Sequence, residues 1–79
     1  MSCVSEQVDA TGLQCPMPLL KTKLALKALP DGAELTVYAT DAGSARDIPR
    51  YLEQTPHELL HHEEDRNGRF VFLIRTRAG

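Results

Sequence analysis

Along the chain, apolar and polar residues alternate with period two in short runs, and between those runs they recur at helical spacing. Glu34 to Thr40, ELTVYAT, sets Leu35, Val37 and Ala39 on one side, which predicts a strand with one buried face. Phe70, Phe72 and Ile74 repeat that period within a second strand, Arg69 to Thr76. His57 to Asp65 precedes it across Arg66-Asn67-Gly68, and because Asn-Gly favours the positive φ angles of a tight turn, the two segments are expected to form a hairpin. Glu6 to Ala10, EQVDA, is a further short strand that ends at Thr11-Gly12.

The helical segments lie between these strands. Pro18 to Leu29 opens on a proline, which suits a first turn whose N–H groups lack partners, and continues in good helix formers up to a turn at Pro30-Asp31-Gly32. At about 3.6 residues per turn, Leu19, Thr22, Ala25, Leu26 and Leu29 share one broad face assigned to the core. Met17, Leu20, Leu24 and Ala28 form a second stripe. A two-layer domain of this size does not easily bury both, so one is expected to stay partly exposed. Either a wide helix face packs into the sheet, or Met17, Leu20 and Leu24 make an apolar patch where a partner docks. A second helix is expected over roughly Ser44 to Gln54, with capping chemistry in Asp41-Ala42-Gly43-Ser44. Pro49 inside it predicts a kink or a start near Asp47.

The order is therefore β-α-β-α-β-β. The simplest architecture is an α/β (α+β) two-layer sandwich, a four-stranded mixed sheet with two helices on one face and a right-handed first crossover. The 79 residues, 42% apolar and 25% charged, suit one small globular domain spanning residues 1–79, with residues 1–5 as a flexible tail. A chain of this length buries only about 60% of its unfolded surface, which leaves little room for a deep cavity. No apolar run approaches the roughly 20 residues that span a bilayer, and Glu6 and Asp9 fall where a signal peptide would be basic and then apolar. No membrane association is expected, and the cytoplasm is the expected compartment. A net charge of −2 argues against direct nucleic-acid binding, although Ala10 to Pro30 carries three lysines and no acid.

Candidate chemistry centres on Gly12 to Leu20, GLQCPMPLL, where one cysteine stands against two prolines. Cys15, just before a helix, would feel the positive end of the helix dipole, and Lys21, Lys23 and Lys27 add a local positive field. Both favour the thiolate, the reactive form of sulfur. Pro16 and Pro18 surrender two backbone donors and in exchange fix φ, an arrangement for presenting a sulfur atom rather than enclosing it. The competing account, a small buried hydrophobe, stays open on the pattern alone. Position 18 is proline, which disfavours Cys-X-X-Cys cycling; Cys3 could resolve Cys15 only if the amino-terminal tail folded back. His61 and His62 are adjacent on a strand and point to opposite faces, so with His57 they make no convincing metal site, and no metal is expected. Glu63-Glu64-Asp65 reads as a solvated strand end.

VDATGLQCPMPLLKTKLAL, together with ARDIP and HELL downstream, resembles the TusA (SirA-like) sulfur carrier family, whose signature is Cys-Pro-X-Pro after an Asp-X-X-Gly-Leu lead. Asp9, Gly12, Leu13, Cys15, Pro16, Pro18, Arg46, Asp47, Ile48 and Pro49 match in order and spacing, and the resemblance runs over about residues 6 to 76. It implies the same β-α-β-α-β-β sandwich. It also implies a Cys15 that accepts sulfane sulfur as a persulfide from a cysteine desulfurase or other persulfide donor and hands it to a downstream sulfur-acceptor protein. In this family the relay feeds tRNA thiolation, molybdenum cofactor synthesis or sulfur oxidation. The donor does the bond-breaking, so no cofactor is implied in this chain. Pro16, Met17, Pro18, Leu20, Leu24, Arg46 and Asp47 are the expected partner-contact residues; for Arg46 and Asp47 a helix-cap aspartate beside a solvated arginine is the alternative. The X position, often acidic in the family, is Met17 here. Two other classes stand beside the carrier: a regulatory or interaction module touching RNA through the lysine-bearing helix, and a thiol redox enzyme using Cys3 and Cys15.

Overall fold

The alternation at Leu35, Val37 and Ala39 becomes the inner face of a central strand, with all three side chains buried. The computed structural model describes residues 4–77. Its elements run β1 (Ser5–Ala10), α1 (Met17–Ala28), β2 (Glu34–Ala39), α2 (Ala42–Glu53), β3 (Glu58–Glu64) and β4 (Phe70–Arg75). The sheet order is β1-β2-β4-β3, with β1 and β2 parallel and the other pairs antiparallel. Leu26 of α1, Ile48 and Leu52 of α2, and Leu35, Val37, Phe72 and Ile74 of the sheet form one core, so both helices cover the same sheet face. This is the expected two-layer mixed sandwich. No helix among the described residues is long and apolar enough to cross a membrane.

The first strand starts at Ser5, one residue earlier than predicted, because Glu34 donates its N–H to the Val4 carbonyl and registers β1 on β2 from that point. Ser5 therefore leaves the expected tail, and Cys3 lies outside the described residues.

The second helix is corrected more. It begins at Ala42, not at Ser44 or Asp47, and runs through Pro49. The Asp41 carboxylate caps it, accepting from the Ser44 backbone N–H at 2.9 Å and from the Ser44 hydroxyl at 3.2 Å. Ser44, Ile48 and Leu52, each four residues apart, are buried along one stripe. Pro49 forfeits a single backbone donor and stands off that stripe, so the burial of Ile48 and Leu52 holds the helix together across it.

The hairpin also turns differently. Gly68 has φ of +78°, while no residue other than glycine among those described has positive φ, so Asn67 keeps an ordinary conformation. Gly68 donates to the Asp65 carbonyl and Asp65 donates to the Arg69 carbonyl, a three-residue loop with glycine at the left-handed position. Asp65, expected as a solvated strand end, organises it. Its carboxylate accepts from the backbone N–H groups of Asn67 and Arg69 and from the Arg69 guanidinium, each at 2.9 Å. The pairing of β3 with β4 skips Leu60, a bulge that sets Leu59 and His62 opposite the inward-facing Ile74 and Phe72.

Candidate functional site

The loop between β1 and α1 is held at each step. The Asp9 carboxylate accepts from the Thr11 N–H at 3.0 Å and the Thr11 hydroxyl at 2.6 Å, closing a local turn where β1 ends. Gly12, with φ of +80°, donates its N–H to the Thr40 hydroxyl at 2.8 Å and so ties the loop to the end of β2. Leu13 donates back to the Ala10 carbonyl, and Met17 to that of Gln14. Pro16, joined to Cys15 by a cis peptide bond, occupies the cap position of α1, and Pro18 falls in its first turn.

Cys15 is exposed, at the mouth of α1. Its thiol donates a hydrogen bond to Oδ2 of Asp47 on α2, at 3.2 Å. The first turn of α2 approaches from the same side. A Cβ placed on Gly43 would stand 3.6 Å from the Cys15 Cβ and 3.0 Å from the Asp41 carboxylate that caps the helix. The sulfur thus sits at the start of α1 against the opening turns of α2; a Cβ at position 43 would meet Cys15 at ordinary contact distance and crowd only the Asp41 carboxylate.

The expected thiolate is not what this geometry favours. The Cys15 thiol is pushed above the ordinary cysteine range, first by the hydrogen bond it donates to Asp47, then by partial desolvation, then by the negative charges of Asp47 and Asp41. A helix terminus contributes only a few tenths to about 1 kcal/mol for an exposed anion, and a carboxylate in direct contact outweighs it. Of the nearby lysines, Lys23 is engaged elsewhere: its ammonium lies over the Tyr51 ring, 4.8 Å from its centre.

Beside the sulfur the second stripe of α1 faces outward, with Met17 44%, Leu20 42% and Leu24 68% exposed. Pro16 is exposed as well. Pro18 is not, which corrects its expected place on a contact surface: its ring is fully buried, and its carbonyl accepts the buried Thr22 hydroxyl at 2.8 Å. Asp47 meets the sulfur and is not a helix cap, a role that falls to Asp41; Arg46 is exposed and takes no part in the thiol's hydrogen bond. Neither Asp41 nor Gly43 was singled out for this site from the sequence, where Asp-Ala-Gly-Ser signalled only a helix start. The histidines are dispersed: His61 pairs with Glu63 at 3.0 Å, His62 stacks on Phe72 at 6.2 Å, and His57 accepts from the Arg77 N–H. No metal-holding cluster occurs among the described residues.

Comparison with known proteins bears on what such a sulfur does. The family model described as Sulfurtransferase TusA matches residues 6–76. A sulfur carrier protein TusA of Allochromatium vinosum is 41% identical over 75 residues, covering 95% of this chain and 97% of that protein. A sulfur carrier protein TusA of Pseudomonas putida is 42% identical over 71 residues, covering 90% and 88% respectively. The crystal structure of a SirA-like protein from Desulfitobacterium hafniense superposes with a TM-score of 0.79 over 92% of this chain and 99% of that one; at 24% identity it speaks to the fold.

Proposed function

The chain belongs to the TusA family of sulfurtransferases, and from that premise we propose that it is a sulfur carrier in which Cys15 takes up sulfane sulfur as a persulfide and delivers it to an acceptor protein. The observation that carries this reading is the exposed Cys15 sulfur on a proline-fixed loop, with the uncovered Met17, Leu20 and Leu24 stripe beside it. Sulfur exchange between proteins requires the attacking atom to enter another protein's site, and a thiol at the tip of a rigid loop can do so without rearrangement of the fold.

Each transfer is a thiol–persulfide exchange. The Cys15 sulfur attacks the outer sulfur of a donor persulfide, the S–S bond of the donor breaks, and the donor's own sulfur departs as a thiolate that takes the proton Cys15 gives up. One S–S bond breaks and one forms, with no net oxidation. The second transfer repeats the exchange with an acceptor thiolate attacking the outer sulfur on Cys15. A cysteine desulfurase or another persulfide donor generates the sulfane sulfur, so this chain needs no cofactor. Met17, Leu20 and Leu24 supply the apolar contact for those partners, with Pro16, Arg46 and Asp47 at its border. A carrier that depends on a free thiol suits a reducing compartment, which assigns it to the cytoplasm.

Incubation with a cysteine desulfurase and free cysteine, followed by intact-mass measurement, tests the proposal. A gain of one sulfur, about 32 Da per chain, that dithiothreitol reverses and Cys15→Ser abolishes is the expected result. No gain with an active desulfurase, or the same gain in Cys15→Ser, overturns it.

A further inference from the structure

We propose that Asp47 is a positioning residue that latches the unloaded carrier, holding Cys15 as a hydrogen-bonded thiol and keeping it out of its reactive anionic form until sulfur exchange begins. This rests on the reading of Cys15 as the sulfur-bearing atom. The geometry comes from two elements far apart in sequence: Cys15 precedes α1, Asp47 stands in the second turn of α2, and their side chains meet at 3.2 Å. A carboxylate accepts and does not donate, so the contact exists only while the sulfur keeps its proton.

The surroundings reinforce this. The charged groups facing the thiol are Asp47 and Asp41, both from α2 and its cap. The loop that carries Cys15, residues 11–16, holds no other ionisable side chain. Lys23 of α1 and Arg50 of α2 line a groove that Asp47 also lines, but Lys23 is turned onto the Tyr51 ring. Two negative charges at such a distance repel, so ionising the sulfur beside Asp47 is unfavourable.

The latch acts on the empty carrier. During loading the Cys15 proton passes to the donor's departing thiolate, one S–S bond breaks and another forms. The resulting persulfide is a stronger acid than the thiol it replaces; once ionised it cannot donate to Asp47 and is turned outward. The same contact that quiets the empty carrier therefore favours presentation of the loaded one.

The test is the rate at which iodoacetamide, an uncharged reagent, alkylates Cys15 as a function of pH, read on the Cys15-containing peptide of the full chain. In the wild-type protein the midpoint is expected above the ordinary cysteine value of about 8.5. In Asp47→Asn it moves down, and the rate at pH 7 rises at least about threefold. Superimposable profiles, or a wild-type midpoint at or below the ordinary value, overturn the latch. Should Asp47→Asn fail to fold, Asp47→Ser takes its place, and carbon NMR titrations of Cys15 in that variant and in the wild-type protein give both midpoints directly; a lower midpoint in the variant supports the latch, and equal midpoints overturn it. Alkylation needs no sulfur donor, so a failed latch and a failed carrier are distinguishable: the first leaves sulfur uptake intact with an unshifted profile, the second leaves the profile shifted in a protein that never gains sulfur.

Discussion

The Cys15 sulfur lies 3.2 Å from Oδ2 of Asp47, a residue 32 positions further along the chain and on the other helix. That contact joins the two halves of the site. It is made because Ser44, Ile48 and Leu52 bury one face of α2 in the core beneath α1, which brings the opening turns of α2 against the loop before α1.

The apolar stripe of α1 separates recognition from stability. Leu24 is 68% exposed, whereas Ile48 is fully buried. Leu24→Glu is expected to leave thermal and urea unfolding within about 0.5 kcal/mol of the wild type. The same substitution weakens capture by a cysteine desulfurase, measured by surface plasmon resonance or calorimetry. Ile48→Ala is expected to cost about 2–5 kcal/mol of stability through lost burial and a residual cavity. Unaltered donor affinity in Leu24→Glu contradicts the assignment of that stripe.

Gly43 is the steric counterpart. A Cβ there stands 3.0 Å from the Asp41 carboxylate and 3.6 Å from the Cys15 Cβ, and a larger side chain extends into the space beside the sulfur. Gly43→Val is expected to slow sulfur uptake by about tenfold or more, read by quenched-flow mass spectrometry, since small displacements of a reacting atom are costly. Uptake at the wild-type rate shows that this space is not used.

The hairpin turn titrates. The backbone N–H of Arg69, then that of Asn67, then the Arg69 side chain hold the Asp65 carboxyl below its ordinary range. A carboxyl lowered in the folded state stabilises the fold above its unfolded value, near 3.8, and that contribution is lost as pH falls through the lower folded value. Amide NMR shifts of Asn67 and Arg69 are therefore expected to stay constant down to about pH 4 and to move together below it. In Asp65→Asn that common titration disappears and urea unfolding occurs at lower denaturant. A titration that persists in Asp65→Asn refutes the role given to this carboxylate.

The extent to which the sequence announces this structure follows from how local each signal is. Leu35, Val37 and Ala39, and Phe72 and Ile74, reveal their burial through period two alone, and the partition of α1 into a Thr22–Leu26 face and a Met17–Leu20–Leu24 face is visible from helical spacing. Of the two outcomes Pro49 suggests, a start near Asp47 does not occur: proline propensity is a local quantity, and the burial of Ile48 and Leu52 is a tertiary fact that overrides it. The conformation of the Arg66-Asn67-Gly68 loop is only partly legible: Asn-Gly suggests positive φ at both residues, whereas the Asp65 carboxylate, which accepts from the Asn67 and Arg69 N–H groups, goes with a loop in which Gly68 alone takes it. The sign of the Cys15 electrostatics is the largest miss. The favourable terms, a helix start and nearby lysines, lie close in sequence, and the opposing carboxylates come from α2, which only the packing of the two helices brings near.

The central claim is that sulfur is carried on Cys15. Its most direct test is to load the full-length protein with a desulfurase, trap the persulfide with an alkylating reagent and map the added sulfur by peptide mass spectrometry. The account predicts an extra sulfur on the peptide that contains Cys15, lost when an acceptor thiol is supplied, and none on the peptide that contains Cys3. Sulfur confined to Cys3, or a Cys15 peptide that stays unmodified while the donor turns over, would contradict it.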